Sequence, residues 1–187
     1  MSLSYLKSAR RQFEYYKMLG EKAMQQIEDT ALFYQPNEET NSIAIIVKHL
    51  WGNMLSRWTN FLTEDGEKPW RERDAEFENT LRTREELLQK WHEGWQCLFG
   101  ALDSITDQDL ERIIYIRNEG HTVLEAINRQ IAHYSYHVGQ IVFIAKMIRN
   151  EGWTSLSIPR NKSGDYNKDK FVQEKGIRHF TDNELRK

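Results

Sequence analysis

The chain has 187 residues, with 26 lysines and arginines against 28 aspartates and glutamates and a net charge of −2. Hydrophobic residues make up 39% and charged residues 29%, ordinary values for one globular domain long enough to bury a core. The slightly acidic balance argues against a nucleic-acid footprint, which needs a basic face.

The first predicted helix runs from about Ser4 to Ile27, with Leu6, Phe13, Tyr16, Met24 and Ile27 at roughly helical spacing. Residues 35–41, with Pro36, read as a loop. The second helix starts at Asn41 or Ser42, either a good cap. Ile43, Ile46, Val47, Leu50, Met54, Trp58 and Phe61 lie on one side of it, and Gly66 and Pro69 break the chain beyond. Residues 70–82 are polar and carry no clear periodicity. Thr83 and Glu86 form a capping-box pattern that opens a third helix carrying Leu87, Leu88, Trp91, Trp95, Leu98, Phe99 and Leu102. Ile113–Ile116 is a short β-branched run, read as extended. Thr122 and Glu125 repeat the capping box and open a fourth helix through Ile127, Ile131, Tyr134, Val138, Ile141, Ala145 and Ile148.

Four amphipathic helices of this length bury their stripes best against one another, so the expectation is an all-α fold, a four-helix bundle over 1–150. The remaining 151–187 read as a polar, irregular C-terminal tail of the same domain, docked near Trp153–Pro159 and mobile at its end. With one cysteine, Cys97, no intramolecular disulfide can form. Cys97 and the tryptophans 51, 58, 91 and 95 read as core. There is neither a signal-peptide pattern nor a run of about 18 apolar residues, so the expected location is the cytoplasm, away from membranes.

Histidines carry the chemical signal. His133 and His137 are four residues apart on the fourth helix. Four residues advance a helix by about 400°, so both rings leave one face, one turn apart. Two neutral imidazoles so placed can share a metal ion at about 2.0–2.1 Å. His49 sits beside Ile46 and Leu50 in the second helix. Spacing alone also fits hydrogen-bonded core or surface histidines. Rings at the margin of an apolar stripe need partners, however, and one metal would satisfy all three. Neutral imidazoles suit zinc, nickel, iron and copper, and three protein ligands leave positions open for chemistry. His92, His121 and His179 read as solvated, capping or tail residues. Gln140, at i+3 from His137, reads as a polar neighbour, with a contact behind the metal ligands or to a substrate as the alternative.

The segment His133-Tyr-Ser-Tyr-His-Val-Gly-Gln-Ile141 resembles the His-x-x-x-His-x-Gly-Gln signature of the DinB/YfiT-like superfamily. His49 in Ile-Val-Lys-His-Leu-Trp resembles that superfamily's upstream histidine. The tail segment Ser155–Arg160 resembles a Bacillus-type branch. The resemblance covers roughly 1–150. It implies a four-helix bundle, often homodimeric, with a divalent metal on His49, His133 and His137. Zinc or nickel is expected first, and iron, manganese or copper after them. Many relatives carry a basic residue where this chain has Val138, which weakens any transfer of substrate contacts.

Characterised members of the superfamily include enzymes that use low-molecular-weight thiols, and others have no established activity. The leading expectation is therefore a metal-dependent thiol S-transferase or hydrolase acting on a small molecule, with no catalytic residue identified beyond the ligands. A non-catalytic metal-binding or stress-response bundle is the alternative. A DNA-associated role would conflict with the net charge.

Overall fold

The computed structural model describes residues 4–185. These form five α-helices and one two-stranded sheet, in the order α1 (Tyr5–Met24), α2 (Ile43–Trp58), α3 (Arg84–Asp103), β1 (Ile113–Ile116), β2 (Glu119–Thr122), α4 (Val123–Arg149) and α5 (Ser163–Phe171). Short 3-10 turns occupy Asp29–Phe33, Asp74–Phe77 and Asp107–Asp109.

Each long helix begins at a side chain that satisfies its first free N–H groups. The Ser4 and Ser42 hydroxyls accept from the N–H groups of Lys7 and Ile45. Full capping boxes at Thr83/Glu86 and Thr122/Glu125 open α3 and α4, as their sequence patterns predict. Two helix ends fall short of expectation. α1 stops at Met24 rather than Ile27. α2 stops at Trp58, because Asn60 turns left-handed at φ 48°, although Phe61 is still buried.

α2 packs on α3 and α1 on α4, and α2–α4 and α1–α3 contacts complete the circuit. The apolar stripes meet in one core, with Phe13, Trp95 and Tyr134 in mutual edge and tilted ring contact at its centre. Gly94 lets α3 approach α2: a Cβ there would lie 3.2 Å from the Trp51 Cα. Trp58, Trp91 and Trp95 are core as expected, while Trp51 is half-buried, with its indole N–H donated to Glu93.

The extended reading of 113–116 holds, but its partner strand is new. β1 and β2 pair antiparallel, with Ile116 opposite Glu119. Arg117 and Asn118, at φ 56° and 61°, make the two-residue turn between them, the left-handed geometry that suits the twist of a hairpin. Asp65 accepts both turn N–H groups at 2.8 Å, and the Gly66 N–H donates to the Tyr115 carbonyl. The hairpin is thereby fastened to the 65–82 connection.

The tail departs most from expectation. It contains α5, so it is not wholly irregular. Trp153 and Leu156 pack on the core, as read. Its last described stretch returns to α1 instead of lying loose: Arg11 pairs with Asp182 at 2.7 Å, Ser8 meets His179, and Tyr15 packs edge-on against Phe180. Among the described residues no helix is long and apolar enough to cross a membrane.

Candidate metal centre

α2 and α4 lie side by side, and their histidines meet between them. His133 and His137 leave α4 one turn apart, as their spacing predicts, and His49 reaches them from α2. The Nε2 atoms of His49 and His133 are 3.4 Å apart, and those of His133 and His137 are 3.1 Å apart. One donor atom from each of the three lies within 4.8 Å of the others, close enough to share a metal ion. His49 is buried, and the α4 pair is half-buried.

The opposite side of each ring fixes what those Nε2 atoms present. The Nδ1 of His49 faces Glu76 Oε2 at 2.8 Å, that of His137 faces Gln140 Oε1 at 2.8 Å, and that of His133 faces Gln130 Oε1 at 3.4 Å. All three partners are oxygen acceptors, so each ring donates its N–H outward from Nδ1. In a neutral ring so oriented Nε2 carries the lone pair, and the three Nε2 atoms converge on one point. Such nitrogens repel one another unless a cation occupies the point they share. Oxygen acceptors on the far nitrogens are also what orient metal-ligating histidines and raise their basicity. Gln140 is thus a partner of the His137 ring, the alternative its position allowed.

Protonation of the α4 pair does not supply that cation at neutral pH. Burial, followed by the charges of His137, His49, Arg57 and Arg71, pushes His133 down to about 3. Burial pushes His137 down to about 4, against the Gln140 hydrogen bond and with help from His49. Both rings are neutral at pH 7, the form that ligates metals.

Glu76 was not legible in the sequence. It sits in the 3-10 turn Asp74–Phe77, buried, and its carboxylate accepts from both His49 and Arg71. Arg71 grips it with two guanidinium nitrogens, at 2.8 and 3.0 Å. Burial alone would raise the Glu76 carboxyl, but the hydrogen bonds from His49 and Arg71 and the Arg71 charge outweigh it and hold the group below its ordinary value. Gly52 makes room for this contact: a Cβ there would fall 2.2 Å from Glu76 Oε1. Lys48, one position before His49, ties the same connection to α2 through the Ala75 and Glu78 carbonyls and the Thr80 hydroxyl. Phe77 stacks on the His49 ring at 5.1 Å.

The histidines open onto a cleft of about 400 Å³ whose rim and walls include five arginines: 57, 71, 73, 117 and 129. Composition hides this patch, because the whole chain is slightly acidic. The other histidines stay apart. His92 is solvent-exposed on α3, His121 is in β2, and His179 docks on α1. Cys97 lies away from the site, half-buried against Thr59 and the Met54 carbonyl, and burial raises its thiol. The cluster thus brings together the three residues expected and adds Glu76, Arg71, Gln130 and Gln140 behind them.

No curated protein and no solved structure matches the chain. Residues 1–162 match the model of a family described as "Protein of unknown function (DUF1572)". That span takes in α1 to α4 and all three clustered histidines, and the chain belongs to this family.

Proposed function

We propose that the chain is a DinB-like helical bundle that holds a divalent metal ion, zinc or nickel, on His49, His133 and His137, and that it is a metal-dependent enzyme. The observation that carries this is the convergence of three Nε2 atoms whose rings each face an oxygen at Nδ1. A structural zinc site is closed by four protein ligands, whereas three leave room for a reactant. When bound, the ion would lower the pKa of a thiol or water within its reach.

Between the two reactions expected, thiol S-transfer fits the surroundings better. Hydrolysis commonly calls on a carboxylate to take a proton from water. Among the described residues the side chains lining the cleft include no carboxylate, and Glu76 behind them is committed to His49 and Arg71. A thiol needs less help, since its ordinary pKa of about 8.5 is already near neutrality. In the transfer its sulfur bonds to an electrophilic carbon, the displaced group leaves with the electron pair, and the thiol proton passes to solvent. The cleft has the size of a small-molecule site. The substrate pair proposed is a low-molecular-weight thiol and a small electrophile, and the working assembly is a homodimer, as the resemblance implies.

Elemental analysis of tag-free protein tests the ligand set. Near-stoichiometric metal is expected in the wild type and none in a His49→Ala/His133→Ala/His137→Ala variant. Conjugation of small thiols to a chromogenic aryl halide is expected of the metal-loaded wild type alone. Metal without turnover would leave the non-catalytic reading, and no metal in either protein would remove both.

A further inference from the structure

We infer that the cleft beside the three histidines binds an oxyanion, a carboxylate or phosphate carried by the small-molecule substrate, and that Arg73 and Arg129 are its specificity-determining residues. This deepens the proposed function by naming a substrate class, but the arginines stand there whether or not metal is bound.

The charge balance of the cleft carries the inference. Among the described residues five guanidinium groups line it and no carboxylate does. Three of them share one neutralising group behind the wall: Arg57, Arg71 and Arg117 all reach Glu67 Oε2, at 3.0, 3.4 and 3.2 Å. Arg71 has Glu76 in addition. Arg57 is buried, and its Nε has no hydrogen-bond partner among the described residues. A buried donor left unmatched is a cost that a bound acceptor would relieve.

The remaining two face outward. Arg129 is exposed and has no ion pair or hydrogen bond among the described residues. It stands four residues before His133, on the same face of α4. Arg73 is also exposed, lies over the Phe77 ring, and has only a 3.7 Å approach to the fully exposed Asp74. Phe77 in turn stacks on His49, so Arg73 and Arg129 approach the histidines from the two sides, one from the 65–82 connection and one from α4. Arginines are suited to this task, because the planar guanidinium matches the two oxygens of a carboxylate or phosphate. Three neutral imidazole ligands would also leave a divalent ion its full charge, adding to the same field. A nucleic-acid backbone is the poorer fit: the cleft is of small-molecule size and the chain as a whole is acidic.

Calorimetric titration of metal-free protein with inorganic phosphate, and separately with succinate, at fixed ionic strength tests this. The wild type is expected to bind at least one probe saturably at one site, and which one tells phosphate from carboxylate. An Arg73→Gln/Arg129→Gln variant, both positions exposed and so expected to leave the melting temperature unchanged, should bind about tenfold more weakly or worse. Absence of saturable binding to either probe, or equal binding by the variant, overturns the inference. Because no metal is present in the titration, anion binding by a protein that never retains metal would refute the metal reading alone. Metal retention without anion binding would refute this inference alone.

Discussion

Two polar clusters hang from the same pair of helices, and consecutive residues of α4 belong to one each. Tyr134 points into the core, where its hydroxyl donates to Asn53 Oδ1 and accepts from the Trp58 indole, both at 3.1 Å. The indole and hydroxyl donors of that chain each have an acceptor, and in this sense the cluster is closed. His133, the next side chain back, joins a cluster whose outer nitrogens each face an oxygen and whose inner three meet at one point with no oxygen partner among the described residues. Buried polar groups in a folded protein are almost always paired. A network that closes on itself is explained by stability, whereas one that is complete on the outside and open at a single point on the inside is explained by what enters that point. The open cluster turns its three histidines to the cleft, where the closed one contributes Asn53 alone.

The hardest test of that contrast is Glu76→Ala. It removes the acceptor that orients His49 and strands Arg71, whose side chain is 2% exposed, with only Glu67 at 3.4 Å. Breaking a buried ion pair from one side costs about 3–5 kcal/mol, and loss of an orienting partner weakens metal binding by roughly 10–100-fold. Both losses are expected, read by urea denaturation and by competitive metal titration. Glu76→Gln keeps an acceptor for His49 and should cost less on both counts. Unchanged metal affinity in Glu76→Ala would mean that the outer partners do not hold the rings, and the comparison would lose its outer half.

How much of this was legible follows from the range of each signal. His133 and His137 announce themselves because their spacing matches one helical turn, and Thr83/Glu86 and Thr122/Glu125 because capping is also a local pattern. His49 could be read as a candidate from its apolar surroundings, but its convergence with the α4 pair depends on how α2 packs. Glu76 and Arg71 lie in a segment with no periodicity, and what places them is the Lys48 tie, the Asp65 hairpin contact and the room left at Gly52. All three are tertiary. The arginine cleft drew from α2, the 65–82 connection, the β1–β2 turn and α4, so no stretch of sequence showed it. The tail misled because its polar composition resembles a loose end, while single residues such as Asp182 and Phe180 dock it on α1.

Acid separates the clusters next. His133 and His137 are neutral in the folded chain, held down to about 3 and about 4 mainly by burial, but take protons near 6.5 once unfolded. Below pH 6.5 the unfolded state therefore binds more protons, and stability must fall as pH falls. The slope is at most about 1.4 kcal/mol per pH unit for each ring and ends only when the folded rings protonate. The Tyr134 hydroxyl is raised above its ordinary value by burial and has no titration in this range. Metal-free wild type is expected to lose urea resistance between pH 7 and pH 5, and a His133→Ala/His137→Ala variant to lose much less. Parallel pH profiles would place the acid sensitivity elsewhere.

Tyr134→Phe probes the closed cluster by itself and should have the smallest effect. It deletes one oxygen from the core without opening space for a metal or moving a ligand. Asn53 Oδ1 then loses its donor and the Trp58 N–H its acceptor, both in buried positions. Stranding such groups costs about 1–3 kcal/mol, offset in part because phenylalanine is itself well suited to the ring contacts with Phe13 and Trp95. Metal content is expected to stay at the wild-type level while the urea midpoint drops. That outcome, set beside histidine variants that lose metal, would show the two clusters to be separable although they occupy neighbouring positions of one helix. Loss of metal in Tyr134→Phe would show the opposite. The closed network would then be part of what holds α4 against α2 at the site, since Asn53 lines the cleft as well as accepting from Tyr134.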